Sequence, residues 1–187
     1  WMTAGRGLVH SEMPEQESGQ MRGFQLWVNL PAKEKMTEPK YQEFAPERIP
    51  VVHPEAGVEV KVIAGTVNGT RGPIVQPATD PLYLDITLAP DRAWTYALPE
   101  GHNAFAYVFE GAMTVGEQDA ARDVARQELA VLGGGEQLHI SAGSEGARLI
   151  LVAGRPLREP VMRHGPFVMN TRQELMQAFV DFQEGRF

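Results

Sequence analysis

The 187-residue sequence contains no cysteine. This absence excludes disulfide bonds and thiolate metal ligands, and it fits a reducing compartment, so we expect a cytoplasmic protein. No apolar run approaches the roughly 18 residues that a membrane helix needs, and no signal-peptide pattern opens the chain. Acidic residues outnumber basic ones by 24 to 17, which gives a net charge of −7. This charge argues against direct binding of nucleic acid as a main function.

Short alternating apolar segments, separated by turn residues, fill most of the chain. Between them stand clusters such as Asn68-Gly69 and Gly133-Gly134-Gly135. Many short strands with such turns predict an all-β barrel or sandwich. The segments are residues 58–62, 82–88, 105–109, 128–132, 137–140 and 148–152.

The first 50 residues divide into a patterned part and a connector. Apolar side chains alternate strictly from Phe24 to Leu30, which predicts a half-buried strand that Pro31 ends. Residues 32–50 are rich in charge and proline, and we predict an extended connector between domains. Because patterned sequence starts directly at Trp1, we expect the chain to begin in the middle of a domain.

The end of the chain predicts a helix. Thr171 and Glu174 have the spacing of a capping box, and Gly185 supplies a stop signal. Between them runs an apolar stripe with helical spacing. The stripe consists of Leu175, Met176, Phe179 and Phe182.

The segment GRGLVHSEMPE, residues 5–15, places a histidine and a carboxylate two positions apart. In a strand, alternate side chains share a face, so His10 and Glu12 would point to the same side. Taken alone, such a pair is more often a surface pair than a metal site. Its donors suit iron, manganese, nickel or copper without choosing among them. Two ligands rarely suffice, since about four are usual. Arg6, between two glycines, is expected in a turn before this segment.

Most other histidines have ordinary structural interpretations. His53 precedes a proline and is expected in a loop, and His164 precedes Gly165-Pro166 in a turn. His139 lies between Leu138 and Ile140, so a strand would turn it away from both. Several aromatic residues could line a pocket for a flat substrate, but a core position is favoured about two to one. They are Phe24, Trp27, Phe105, Tyr107 and Phe109.

Six ordered stretches resemble the pirin family of the cupin superfamily, and the similarity runs from Trp1 to the final helix. They are WMTAGRGLVHSEMPE, GFQLWVNLPAKEKMTEPKYQ, AGTVNGTRGPI, PLYLDITLAP, HNAFAYVFEGAMTVG and AGRPLREPVMRHGPFVMNT. The resemblance implies two cupin β-barrels (jelly rolls, or double-stranded β-helices) and a closing helix packed along them. It also implies an iron-type metal, Fe²⁺ or another divalent transition metal, held in the N-terminal barrel by three histidines and one glutamate.

His10 and Glu12 match two of those four ligands. In the family, the other two belong to a His-x-His motif upstream of the His-Ser-Glu segment. The resemblance therefore implies that residues 1–45 are the C-terminal remnant of the metal-binding barrel with its linker. Residues 46–187 would form the second barrel with the closing helix. There His102 falls where a first metal motif would lie, but Ala104 stands at a ligand position, so we expect this barrel to hold no metal.

The resemblance implies an activity and two alternatives to it. The first is a quercetin-type flavonol 2,3-dioxygenase that uses dioxygen, in which Glu12 also serves as the base. The second is a metal-dependent regulatory protein that acts through protein partners. The third is a catalytically silent fragment. With most of the first barrel absent, residues 24–30 would be an exposed edge strand. We expect that strand to pair with another copy, to dock on the second barrel, or to rest on a separately supplied segment.

Overall fold

The computed structural model describes residues 1–13 and 17–186. Their contacts form two compact units, which we name the barrel unit (Glu43–Pro156) and the terminal unit (Trp1–Gln42 with Leu157–Phe187). The single α-helix of the described residues, α1, spans Arg172–Gln183, and 3-10 helices span Ala32–Glu34, Pro46–Arg48 and Gln118–Ala120. The strands are β1 Met2–Thr3, β2 Lys40–Tyr41, β3 Val51–Val52, β4 Val58–Ala64, β5 Thr66–Val67, β6 Thr70–Arg71, β7 Leu82–Leu88, β8 Ala93–Ala97, β9 Asn103–Val115, β10 Arg122–Val124, β11 Leu129–Leu132, β12 Gln137–Gly154, β13 Met162–His164 and β14 Phe167–Met169.

The barrel unit is an antiparallel sheet that wraps around one hydrophobic core. Its strands follow the order β10-β9-β12-β7-β4-β3, with β11 paired to β9 and β8 paired to β12. The first half of β12 pairs with β8 and its second half pairs with β7. The long strand β12 therefore has different partners along its length. The predicted segments 137–140 and 148–152 are both parts of it. The predicted all-β class is confirmed.

A bulge separates the two halves of β12. The pairing of β12 with β9 shifts register between Ala142 and Ala147. Opposite the shift, Gly111 adopts a φ of +67°, which glycine takes easily and other residues rarely do. A side chain at this position would collide with the carbonyl group of Gly146. The close approach of the two backbones therefore requires glycine at residue 111.

The core of the barrel unit follows the predicted alternation. In β4 and β7 every second residue is buried and its neighbours are half-buried. These strands pair in register from Val58↔Leu88 to Val62↔Leu84, so their buried faces coincide. Burial of these two apolar rows contributes to the hydrophobic driving force for folding. The fully buried side chains in the two strands are Val58, Val60, Val62, Ala64, Leu82, Leu84, Ile86 and Leu88.

The terminal unit is built from short pieces. Strand β1 pairs with β2, and the N-terminal amine of Trp1 donates a 2.7 Å hydrogen bond to the carbonyl of Gln42. Strands β13 and β14 form a hairpin beneath α1. The ring of Phe179 on α1 packs edge-on against the rings of His164 and Phe167, with centroids 5.1 and 4.8 Å away. Aromatic contacts of this geometry attach the helix to the hairpin.

The predicted strand over residues 24–30 is wrong. No strand is assigned in this segment, and Phe24, Trp27 and Val28 are exposed. Alternation provides one apolar face, but a strand also needs a neighbour to bond its backbone groups. The described residues offer this segment no strand partner. The exposure expected for these residues is observed.

The connector prediction for residues 32–50 also needs correction. The segment contains two 3-10 helices and strand β2, and Lys35 within it is buried. The contact boundary falls between Gln42 and Glu43, and it groups α1 with the first residues of the chain. The domain boundary expected from the family resemblance, at residues 45 and 46, remains a prediction.

The C-terminal helix is confirmed with its predicted cap. The Thr171 hydroxyl accepts a hydrogen bond from the Glu174 backbone, and the Glu174 carboxylate accepts one from the Thr171 backbone. The apolar stripe is only partly buried, because Leu175 is enclosed while Met176 and Phe182 are exposed. Among the described residues, no helix has the length and apolar character needed to span a bilayer.

Candidate metal site

His10 and Glu12 lie in an extended loop that follows a tight turn. Gly5 has a φ of +55°, and the amide of Gly7 donates to the carbonyl of Ala4, which confirms the predicted turn around Arg6. The Arg6 side chain pairs with Glu38. Residues 7–13 have no assigned strand, so the predicted strand is absent there. The hydrogen bond across the turn and the Arg6–Glu38 pair hold the chain just before the loop that carries His10.

The side chains of His10 and Glu12 converge even without a strand. The distance from His10 Nδ1 to Glu12 Oε1 is 3.9 Å, and the side chains are 37% and 66% exposed. The Glu12 carboxylate has a second neighbour that sequence analysis missed. The Gln25 amide Nε2 donates to Oε1 at 3.0 Å and to Oε2 at 3.1 Å. No sequence signal links Gln25 to Glu12, because the contact joins segments 13 residues apart.

This donor pair fits part of a transition-metal site. An imidazole nitrogen and a carboxylate oxygen are suitable ligands. Ligand bonds of about 2.1 Å allow one ion to reach two atoms up to about 4.2 Å apart, and the observed 3.9 Å lies within that span. Within residues 1–13 and 17–186, however, no three histidine, cysteine, aspartate or glutamate side chains assemble into a metal site. The described part of the chain therefore brings together two side chains of the kind that can bind a metal.

His102 has a structural role in the barrel unit. Its side chain is 4% exposed, its Nε2 lies 2.9 Å from the carbonyl oxygen of Asp80, and its Nδ1 lies 3.2 Å from that of Glu100. Both ring nitrogens thus face backbone acceptors of two loops. Ala104, at the expected ligand position, points into the core. His102 therefore connects these two loops.

The other histidines have local partners. His139 Nδ1 lies 2.9 Å from the Thr95 hydroxyl and 3.0 Å from Glu117 Oε1, on the face opposite buried Leu138 and Ile140, as predicted. His53 lies 3.6 Å from Glu59. His164 lies in β13 against α1 instead of in the turn that follows.

The core interpretation of the aromatic residues is wrong for most of them. Phe105, Tyr107 and Phe109 are half-buried on the outer face of β9, while the inner face carries Ala104, Ala106 and Val108. The guanidinium of Arg148 covers the ring of Phe109 at 4.9 Å. Trp27 is 63% exposed, and the guanidinium carbon of Arg163 lies 5.4 Å from the centre of the Trp27 ring. Strand alternation predicts two faces but does not tell which of them is buried.

Lys35 is a second residue whose environment was not foreseen. Its Nζ donates to Asn29 Oδ1 at 2.6 Å and to the carbonyl of Val168 at 3.0 Å. Burial lowers the pKa of Lys35, and nearby Glu159 and Glu174 act in the opposite direction. The sequence predicts an extended connector for this segment, without a buried lysine. Lys35 instead connects the segment after Gln25 to the C-terminal hairpin.

Comparison with known families gives two matches along this chain. The family model described as the pirin C-terminal cupin domain matches residues 83–187. The pirin family model matches residues 1–28, which include His10, Glu12 and Gln25.

Relatives match over the whole chain. It is 51% identical over 190 residues to a pirin-like protein of Caulobacter vibrioides, covering 100% of this chain and 66% of the relative. It is 43% identical over 187 residues to human pirin, covering 100% of this chain and 63% of that protein. The chain thus spans about two thirds of the length of the curated relatives that it matches.

A solved structure shares the fold. The crystal structure of a quercetin 2,3-dioxygenase from Acinetobacter baumannii superimposes with a TM-score of 0.78 at 34% sequence identity. The match covers 86% of this chain and 55% of that one.

Proposed function

The chain belongs to the pirin family of cupin proteins, and from this premise we propose that it is part of a metal-dependent dioxygenase acting on flavonols such as quercetin. The observation that carries the proposal is the convergence of His10 Nδ1 and Glu12 Oε1 to 3.9 Å. The family membership and the related quercetin 2,3-dioxygenase of Acinetobacter baumannii support the substrate class. The activity belongs to the whole protein, since this chain spans about two thirds of its relatives.

In this proposal His10 and Glu12 supply two ligands of the metal, and iron is the preferred ion. A bound divalent iron would act as a Lewis acid toward the substrate hydroxyl and dioxygen. The remaining ligands would be two histidines of a His-x-His motif in the N-terminal barrel. Residues 1–45 would then complete that barrel, and residues 46–187 would form the second barrel with its helix.

Glu12 has a second proposed role, as the base. A flavonol must lose its hydroxyl proton before its ring reacts with dioxygen, and a carboxylate oxygen beside the metal can accept that proton. A dioxygenase transfers both atoms of dioxygen into its products, so no external reductant is needed. In this chain Glu12 would accept the substrate's proton, and His10 would bind the ion.

The test is turnover of quercetin by the whole protein loaded with iron. We expect wild-type protein to consume quercetin and dioxygen in equal amounts, and we expect Glu12→Ala to lower the rate at least about a hundredfold. Glu17→Ala is the matched control, because Glu17 is an exposed carboxylate on the same segment. Loss of activity in both variants, or in neither, would contradict the role of Glu12.

A second candidate function is regulation through protein partners. It is favoured by the exposed apolar side chains of the terminal unit, which include Val9, Met13 and Trp27. An apolar patch formed by such residues would be typical of an interaction surface. If partner binding is the function, it should survive Glu12→Ala and weaken in Trp27→Ala. The two variants therefore separate this function from the dioxygenase.

A third candidate is a catalytically silent fragment, and metal content tests it. With two converging ligands, the 187-residue chain alone should hold iron weakly and below one ion per chain. Tight binding of one ion per chain would overturn this candidate.

A further inference from the structure

The side-chain amide of Gln25 lies directly in front of the Glu12 carboxylate. Its Nε2 is 3.0 Å from Oε1 and 3.1 Å from Oε2. A carboxylate only accepts hydrogen bonds, so the amide nitrogen, not the amide oxygen, must face it. The contact is not part of a local turn, because it joins the His10 loop to a segment 13 residues further along.

The near-equal distances from Gln25 Nε2 to the two Glu12 oxygens show that the amide nitrogen lies between them. A donor equidistant from both oxygens occupies the position that a cation chelated by both oxygens would take. While Gln25 holds this position, Glu12 can offer an ion only one oxygen. Oε1 is the oxygen that lies beside His10 Nδ1, at 3.9 Å.

We propose that Gln25 is a positioning residue, which directs Glu12 to bind the metal through Oε1 alone. This inference rests on the proposed function, because it requires that His10 and Glu12 be metal ligands. Oε2 then keeps its hydrogen bond to the amide, and it is the carboxylate oxygen left to accept a proton. Ligating carboxylates are commonly held by such outer hydrogen bonds, and their loss weakens metal binding about 10- to 100-fold.

The experiment titrates the 187-residue chain with Co²⁺ and follows the paramagnetic broadening of the His10 ring protons by NMR. Gln25→Met removes the amide and keeps the length of the side chain. We expect it to weaken Co²⁺ binding about tenfold, the lower end of that range, because the site is exposed. Gln20→Met is the matched control, since the Gln20 side chain accepts from Arg22 and should leave the affinity unchanged.

A double-mutant cycle distinguishes positioning from general loosening of the segment. In a Glu12→Ala background, Gln25→Met should cause no further loss, because its effect acts through Glu12. An equal loss in both backgrounds, or wild-type affinity in Gln25→Met, would overturn the role of Gln25 while leaving the metal pair intact. If Co²⁺ fails to broaden His10 in the wild-type chain, the metal pair fails first, and the role of Gln25 fails with it.

Discussion

The barrel unit and the terminal unit use their apolar residues in opposite ways. Among the described residues, every buried hydrophobic side chain except Leu175 belongs to the barrel unit. Most exposed large hydrophobic residues belong to the terminal unit, and the barrel unit contributes only Val51, Val75, Leu129 and Val131. The barrel unit therefore has a core of its own, and the terminal unit relies on polar links and a few ring contacts.

Two segments with the same apolar spacing differ in structure because, among the described residues, only one of them has strand neighbours. In residues 58–64 and in residues 24–30, every second side chain is apolar. The first is a strand because β7 and β3 bond its backbone on either side. The second has an apolar face and no strand partner in the described part of the chain, so it stays irregular. Side-chain pattern becomes a strand only where the tertiary structure supplies a neighbour.

A cavity in the barrel core should lower the free energy of unfolding more than any other change considered below. Leu84 is fully buried, so Leu84→Ala should lower the free energy of unfolding by about 3 kcal/mol. Trp27→Ala removes a larger side chain, but the residue is 63% exposed and its ring contact is with Arg163, so we expect a loss of no more than about 1 kcal/mol. Urea denaturation of both variants measures the difference. Equal losses would contradict the contrast between the units.

The next effect concerns the bulge that bends the sheet. An alanine at Gly111 would need a left-handed φ and would meet the backbone of Gly146. We expect Gly111→Ala to cost about 2 kcal/mol or more in unfolding free energy. Gly133→Ala is the control, because no atom lies within 4 Å of an added Cβ there, and it should change stability by less than about 0.5 kcal/mol. A loss of less than about 0.5 kcal/mol in Gly111→Ala would show that the bulge can relax around a side chain.

In the terminal unit the largest effect should come from a polar residue. Lys35→Met leaves the Asn29 side-chain oxygen and the Val168 carbonyl without their donor. We expect a local loss of about 2 kcal/mol, seen as faster amide hydrogen exchange around residues 29 and 168. Lys33→Met, at an exposed lysine, should leave exchange unchanged. Similar exchange in both variants would mean that Lys35 does not hold this unit together.

The Lys35 ammonium also predicts a pH dependence. Burial lowers the pKa of Lys35 in the folded chain. Between that lowered pKa and the ordinary lysine pKa, the unfolded chain holds a proton that the folded chain has released. Stability contributed by Lys35 should therefore rise with pH across this window, and the rise should vanish in Lys35→Met.

The smallest effect concerns the helix cap. Thr171→Ala should cost α1 about 1 kcal/mol. The hydrogen bond from the Thr171 side chain is the main reason why the pKa of Glu174 is lowered. A lowered pKa means that the stabilisation is complete above the ordinary glutamate pKa and is lost as the pH falls through the lowered value. Circular dichroism of the helix against pH should show this loss in wild type and in Thr171→Ser, and much less of it in Thr171→Ala.

The accuracy of sequence-based prediction differs between the units. Strands β4, β7, β9, β11 and β12 were expected from local pattern, and so was the capped helix. The approach of His10 to Glu12 was expected from the spacing of a strand, and the structure brings the two side chains to 3.9 Å without one. Gln25 and Lys35 were not expected, since their partners lie 13 and 133 residues away in the chain. The spacing of residues predicts contacts between near neighbours in the sequence, but it does not predict contacts between distant segments.

The β-rich class, the helix with its cap and the proximity of His10 to Glu12 follow from the amino-acid sequence alone, because each depends on residues within a few positions of one another. Three features are visible only in the folded chain: which apolar faces are buried, the absence of a strand over residues 24–30, and the amide that faces the Glu12 carboxylate. These features depend on which distant segment lies alongside, and burial and hydrogen bonding are properties of that neighbour as much as of the residue itself.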